Sequence, residues 1–185
     1  MSEQKKFPHL MIDLETLGTS LDAVILSIGA VPFNMVGEMG EAFEIFPTVQ
    51  DQIPSRKVQW SAIEWWFKQE EQARLSIIEQ VRSRMLHECL MLFKDWCEYN
   101  LDEKFRVWSN GASFDIAMMN LAFANVNLET PWSYKNQMDC PTMVYMSKIS
   151  TKKYDGVGVK HNAVNDCKWQ ISWTVDAFRI LRGTY

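Results

Sequence analysis

The chain has 185 residues, 47% hydrophobic and 12% aromatic, enough to bury one sizeable core and too few for two, so a single domain over 1–185 is expected. Its formal charge of −4 excludes a general polyanion binder, and any hold on nucleic acid must come from a local basic patch or from bound metal. Cys89, Cys97, Cys140 and Cys167 lack C-x-x-C spacing, no apolar leader precedes the first strand, and no run approaches the ~20 apolar residues of a membrane span; neither a zinc ribbon nor a secreted disulfide scaffold is favoured, and a soluble protein of a reducing cytoplasm is expected.

His9 to Leu14 reads as a strand that runs into Glu15-Thr16-Leu17-Gly18. Ala23 to Phe33 is a second, apolar without interruption and rich in β-branched residues, as a strand buried on both faces would be. Glu41 to Phe46 alternates and stops at Pro47, an edge or hairpin partner. The period then turns helical. Ser61 and Glu64 are spaced as a capping box, and Ile63, Trp66, Phe67, Ala73, Ile77, Ile78 and Val81 fall on one face. Met85, Cys89, Phe93, Trp96 and Cys97 mark a second helix running to Tyr99. Phe105 to Trp108 is a short strand, followed by Ser109-Asn-Gly-Ala-Ser-Phe-Asp115 and a helix carrying Met118, Met119 and Phe123. The last helix runs from near Asn165 to Leu181, with Cys167, Ile171, Val175 and Phe178 on its buried side. Three strands, then helices alternating with short strands, predict an α/β domain with a mixed sheet.

Residues i and i+2 of a strand share a face, so Asp13 and Glu15 stand side by side at a strand's C-terminal end, where open α/β sheets bind ligands. Two adjacent anions repel unless a cation sits between them, and hard oxygen ligands suit Mg²⁺ or Mn²⁺. Alone, the pair reads equally as a solvated strand end. Asp115 sits at a helix start behind a small turn, either as another carboxylate at the sheet edge or as an N-cap. His161 and Asp166 have four residues between them, which lets a loop histidine and an aspartate of the next helical turn lean towards one point.

In combination, Asp13-x-Glu15, Asp115 behind Asn-Gly-Ala-Ser-Phe, and His161 with Asp166 in "HNAVNDC" resemble the DEDDh branch of the 3′–5′ exonucleases, the superfamily of proofreading exonucleases, RNase T and oligoribonuclease. The likeness runs from Asp13 to about Leu181, and Ala62 to Arg74 is similar to a bacterial and phage subgroup of exonucleases and exoribonuclease-like proteins. The resemblance implies an RNase H-like fold, a five-stranded mixed sheet flanked by helices. It also implies that Asp13, Glu15, Asp115 and Asp166 hold two divalent ions, Mg²⁺ or Mn²⁺, and that His161 is the general base. The reaction implied is hydrolysis of single-stranded DNA or RNA from the 3′ end to nucleoside 5′-monophosphates. Physical chemistry agrees: two ions ~3.5–4 Å apart clamp a scissile phosphate, and an imidazole with a reference pKa of ~6.5 accepts a proton at neutral pH. One departure stands out. Many relatives place His-Asn before the Ala-x-Phe-Asp of the second motif, where this chain has Asn110-Gly111 before Ala112-Ser113-Phe114-Asp115.

By resemblance Thr16 and Leu17 border the terminal nucleotide, Thr16 near the sugar and Leu17 against the base; ordinary turn and core packing is the alternative. Trp65 points away from the stripe that carries Trp66. It reads as a base-stacking platform or, with Ser61 as N-cap, as the partner of Trp60 in a hydrophobic staple. Lys148, Lys152, Lys153 and Lys160 form the densest basic run, a phosphate track or a solvated loop. The eight tryptophans leave a homodimer open. A phosphatase with an aspartyl nucleophile needs an aspartate where Glu15 stands and a later acidic pair where Asn165-Asp166 offers one acid. A nuclease fold that binds without cutting is expected to have lost an acid or His161, and a purely structural domain leaves the acids unexplained.

Overall fold

The computed structural model describes residues 6–154 and 160–183, and the side chain of Lys153 lies outside the described set. Five strands form one sheet in the order β3-β2-β1-β4-β5: β1 Phe7–Thr16, β2 Ile25–Phe33, β3 Phe43–Ile45, β4 Leu101–Ser109 and β5 Gln137–Asp139. β2 runs antiparallel to β1 and β3, while β4 runs parallel to β1 and to β5. Between them come α1 Trp60–Phe67, α2 Glu71–Ile78, α3 Leu86–Asn100, α4 Asp115–Asn125, α5 Cys140–Ser147 and α6 Ala163–Arg182. This is the mixed sheet flanked by helices that the resemblance implies.

β1 is the central strand, and its two faces feed two cores. Leu10, Ile12 and Leu14 pack with Leu90 and Phe93 of α3 and Ile116, Met119 and Phe123 of α4. Met11 faces the other way, onto Cys140 of α5 and Cys167, Ile171 and Val175 of α6. Coverage on both sides is why every residue of β2 is buried and why its sequence shows no alternation. Fully burying side chains such as Phe93 and Phe123 contributes ~1.5–3 kcal/mol each. All four cysteines are buried and free, and no helix among the described residues is long and apolar enough to cross a membrane.

Two local features set the position of the elements around the C-terminal end of β1. A smaller apolar cluster, Leu26, Trp66 and Ile77, pins α1 and α2 beside the end of β1, and the Trp66 indole Nε1–H donates to the Thr16 carbonyl at 3.0 Å. At Gly29 of β2 an added Cβ would lie 2.6 Å from the Ala163 carbonyl carbon and 2.8 Å from the Val164 nitrogen. Only a residue without a side chain lets the start of α6 rest on the strand backbone there.

Several sequence expectations are corrected. Gln59, not Ser61, is the N-cap of α1, so Trp60 is the first helical residue and neither the capping box nor the Trp60–Trp65 staple forms. Gln59 is held by the turn after β1: its amide donates to the Leu17 carbonyl, and its Oε1 accepts from the Thr19 amide and hydroxyl. The single apolar stripe expected from Ile63 to Val81 is two helices with a break between Phe67 and Glu71, which resets the phase of the 3.6-residue period. Trp66, Ala73 and Ile77 are buried, whereas Phe67, Ile78 and Val81 are 70%, 72% and 83% exposed. β4 begins at Leu101 rather than Phe105; Asp102, Glu103 and Lys104 are all exposed at a register shift, so this part of the strand carries no alternation. β5 and α5 were not expected as individual elements. The signal for α5 was local: the Asp139 carboxylate accepts from the Thr142 amide as N-cap, and a proline stands in the first turn.

Candidate active site

After His9 and Met11, the same face of β1 carries Asp13 and Glu15 at the C-terminal end of the strand. The β1–β4 pairing ends at Met11 and Trp108. Beyond it the Leu14 amide donates instead to Asp115 Oδ1 at 3.2 Å. Asp115 is therefore not an N-cap. Phe114 occupies that position, and Asp115, 4% exposed, is the first helical residue, with its carboxylate turned to β1.

The third acid-bearing segment is the start of α6. Asn162 caps it, its side-chain oxygen accepting from the Asn165 amide, and Asp166 lies in the first turn with its amide on the Asn162 carbonyl. The His161 backbone amide hydrogen-bonds the Asp166 carboxylate. His161 itself has φ of 59°, a left-handed conformation that side-chain-bearing residues adopt chiefly at turns and functional sites. Ligand atoms of Glu15, His161 and Asp166 all lie within 4.8 Å of one another, a grouping able to hold a metal ion. All five residues singled out in the sequence thus meet at one edge of the sheet.

Burial dominates the electrostatics, with like-charge crowding second at Asp13 and Glu15. Burial, then the charges of Asp115, Glu15 and Asp166, push the Asp13 carboxyl well above its ordinary value. Burial, then Asp166, Asp115 and Glu44, do the same to Glu15. Burial raises Asp115 to about 7 and Asp166 to about 6. Burial and the neighbouring Lys160 lower the half-buried His161. Among the described residues, Asp166 Oδ1 and Gln170 Oε1 are buried without a hydrogen-bond partner. Carboxylate oxygens in excess, one left over, and an imidazole alongside form a donor set that fits a hard divalent cation.

The metal-free protein should show the cost of burying these acids directly. An aspartate titrates near 3.8 when unperturbed, against about 6 for Asp166 and about 7 for Asp115 in the fold. A folded pKa above the unfolded one means that the native state binds the proton more tightly. The protonated group therefore supports folding at low pH, and that support is lost as pH rises from about 4 through about 7. In chelator, the melting temperature is expected to fall between pH 5 and pH 8, as read by calorimetry; a rise over that interval would contradict the arrangement.

A cavity of about 370 Å³ opens over Asp13, Glu15 and Asp166, with Asn110, Lys160 and Trp169 among its walls. A second, also about 370 Å³, shares Leu14, Glu15 and Phe114 with the first and is walled further by Thr16, Gly18 and Trp65. Trp65 is 42% exposed, and its ring meets the His161 imidazole edge-on at 4.6 Å between centroids. The Thr16 hydroxyl donates to the Gly18 carbonyl at 2.6 Å. Leu17 does not reach this space; it lines a separate apolar cavity with Leu26, Ile63 and Trp66. Lys160 borders the acids, Lys148 and Lys152 are exposed, and the Lys153 side chain lies outside the described residues.

Sequence reading missed Gln170. It is 3% exposed, and its Nε2–H donates to Asp13 Oδ1 at 2.7 Å, fixing which way that carboxylate faces. The available signal was its position four residues after Asp166, on the same face of α6.

A family model described as the 3′–5′ exoribonuclease Rv2179c-like domain matches residues 8–177. An exodeoxyribonuclease of Enterobacteria phage T4 is 24% identical over 205 aligned positions, covering 94% of this chain and 90% of that protein. Among solved structures, the nuclease domain of 3′hExo, a DEDDh family member bound to rAMP, matches with a TM-score of 0.61 at 15% identity, over 98% of this chain and 96% of that one. Exonuclease I from Methylocaldum szegediense matches with a TM-score of 0.67 at 14% identity, over 95% of this chain and 42% of that one. At these identities the structural likenesses speak to the fold, the mixed sheet and flanking helices of the DEDDh nucleases.

Proposed function

This chain belongs to the Rv2179c-like 3′–5′ exoribonuclease domain family, and from that premise we propose that it is a metal-dependent 3′–5′ exonuclease acting on single-stranded DNA or RNA and releasing nucleoside 5′-monophosphates. Asp13, Glu15, Asp115 and Asp166 would hold two divalent ions, Mg²⁺ or Mn²⁺, and His161 would be the general base. The observation that carries the reading is the meeting of Glu15, His161 and Asp166 within 4.8 Å, with Asp13 and Asp115 pressed against them.

Bound there, the ions would supply charge neutralisation and Lewis acidity at the scissile phosphate. The chain's own residues do the rest. Without cations the four carboxylates repel a polyanion; with two dications their charge is balanced, which reconciles an acidic protein with an anionic substrate. Gln170 keeps Asp13 turned inwards, and the Leu14 amide does the same for Asp115. Burial and Lys160 lower the His161 pKa, which favours the neutral imidazole that can take a proton from the attacking water. Its backbone bond to Asp166 and the edge of Trp65 restrict where the ring can lie. Thr16 and Trp65 border the terminal nucleotide, with Trp65 and Phe114 offering ring faces for a base. Leu17 supports that wall from behind, against Trp66. Lys160 meets the incoming phosphates.

The test is a ladder assay on 5′-labelled single-stranded DNA, single-stranded RNA and blunt duplexes, each with Mg²⁺ or Mn²⁺. Shortening from the 3′ end with release of 5′-mononucleotides is expected on single strands and none in chelator. If neither single strand is shortened with either metal, that result would falsify the reading. The same lanes decide between ribose and deoxyribose, which rests on how the pocket meets the 2′-OH.

A further inference from the structure

A cavity of about 540 Å³ lies on the α5/α6 side of the sheet, away from the carboxylates. His9, which lines it, precedes Asp13 by four residues on the same face of β1, a separation of ~13 Å at ~3.3 Å per residue. Apolar walls come from Trp108 of β4, Met143 of α5 and Phe178 of α6, and the polar groups are His9, Arg106 and Arg182. No acid is among the lining residues.

Each polar group has spare capacity. His9 is 9% exposed, and its Nδ1 accepts from the Trp108 indole at 3.1 Å. That assigns the ring proton to Nε2, a donor with no acceptor among the described residues. Burial and Arg106 hold the His9 pKa down at about 4, so the ring is neutral at physiological pH. Arg106 sits directly across the β1–β4 pairing from His9, and Arg182 lies over the Phe178 ring at 5.0 Å. Both arginines are exposed, and neither guanidinium has a hydrogen bond or ion pair among the described residues. Two planar cations with no hydrogen-bond or ion-pair partner among the described residues thus stand at the rim of an apolar cavity with one neutral donor in its wall. Guanidinium forks suit phosphate and carboxylate. Methionine adapts to varied apolar shapes.

We propose that this cavity is a second binding site, separate from the carboxylate cluster, for a small organic anion whose phosphate or carboxylate head meets Arg106 and Arg182 and whose apolar body lies against Trp108, Met143 and Phe178. The assignment does not rest on the nuclease reading. The carboxylate cluster needs metal to accept an anion, and this site needs none, so chelator separates the two.

Calorimetric titration in EDTA with AMP and with octanoate tests it, with inorganic phosphate and acetate as heads alone and adenosine and octanol as bodies alone. At least one amphipathic anion is expected to bind at one site per chain, at least tenfold more tightly than any of its parts; binding of AMP alone marks a phosphate ligand, and of octanoate alone a carboxylate. The double variant Arg106→Gln/Arg182→Gln should lose at least tenfold in affinity while keeping the wild-type melting temperature and nuclease rate. Met143→Trp, which fills the cavity and leaves both cations, should lose binding as well. Equal binding by the double variant, or amphiphiles no tighter than their parts, overturns the proposal.

Discussion

Replacing Asp13 by asparagine is expected to lower exonuclease turnover by about three orders of magnitude, ~4 kcal/mol of transition-state stabilisation, and at the same time to raise the melting temperature of the metal-free protein. Both effects have one cause. Burial first, and then the charges of three other carboxylates, oppose the ionisation of Asp13, so its negative charge costs the metal-free fold stability while serving the cation that the proposed chemistry requires. Asparagine keeps the shape and the oxygen that accepts from Gln170, and removes only the charge. A gain of ~1 kcal/mol would appear as ~2–4 °C for a chain of this size, measured in EDTA at pH 8. The same scan with Mn²⁺ should reverse the order, because the wild type gains more from binding the ion. Wild-type turnover in the variant, or a lower melting temperature in chelator, would remove the basis for a site built on repulsion.

His161→Asn is expected to reduce turnover by ~10²–10⁴-fold, the usual scale for losing a general base. Asparagine is the cleaner choice over alanine because φ at this position is 59°, a region that asparagine tolerates better than other side-chain-bearing residues. The pH profile distinguishes base from ligand. In the wild type the rate should rise as pH passes upward through the imidazole pKa, which burial and Lys160 hold below 6.5. In the variant that limb should disappear, while Mn²⁺ still raises the melting temperature. Since His161 stands close enough to Glu15 and Asp166 to share an ion, loss of the Mn²⁺ effect together with activity would reassign it as a metal ligand.

The acids were legible because each belongs to a pattern that survives without the fold. Strand periodicity puts Asp13 and Glu15 on one face, and Asp115 and Asp166 each open a helix. What failed was phase and brevity. The apolar stripe from Ile63 to Val81 looked continuous because the break between Phe67 and Glu71 contains no proline or glycine. β5 spans three residues, too few to express any period. Gln170 is recognisable only once Asp13 is known to stand opposite it. The arginine-rimmed cavity draws on β1, β4, β5, α5 and α6, and no stretch of sequence holds two of its three polar groups together.

The hydrogen bond from Gln170 to Asp13 joins residues 157 positions apart, and α6 supplies both His161's neighbour Asp166 and that bond. While the chain is being synthesised, the strand bearing Asp13 and Glu15 leaves the ribosome long before α6 exists, and a domain folds as a unit. The site therefore assembles last. Before translation reaches residue 161 the nascent chain lacks His161 and Asp166, two of the five residues proposed to react, so the proposed exonuclease is expected to be inactive until translation has passed residue 166.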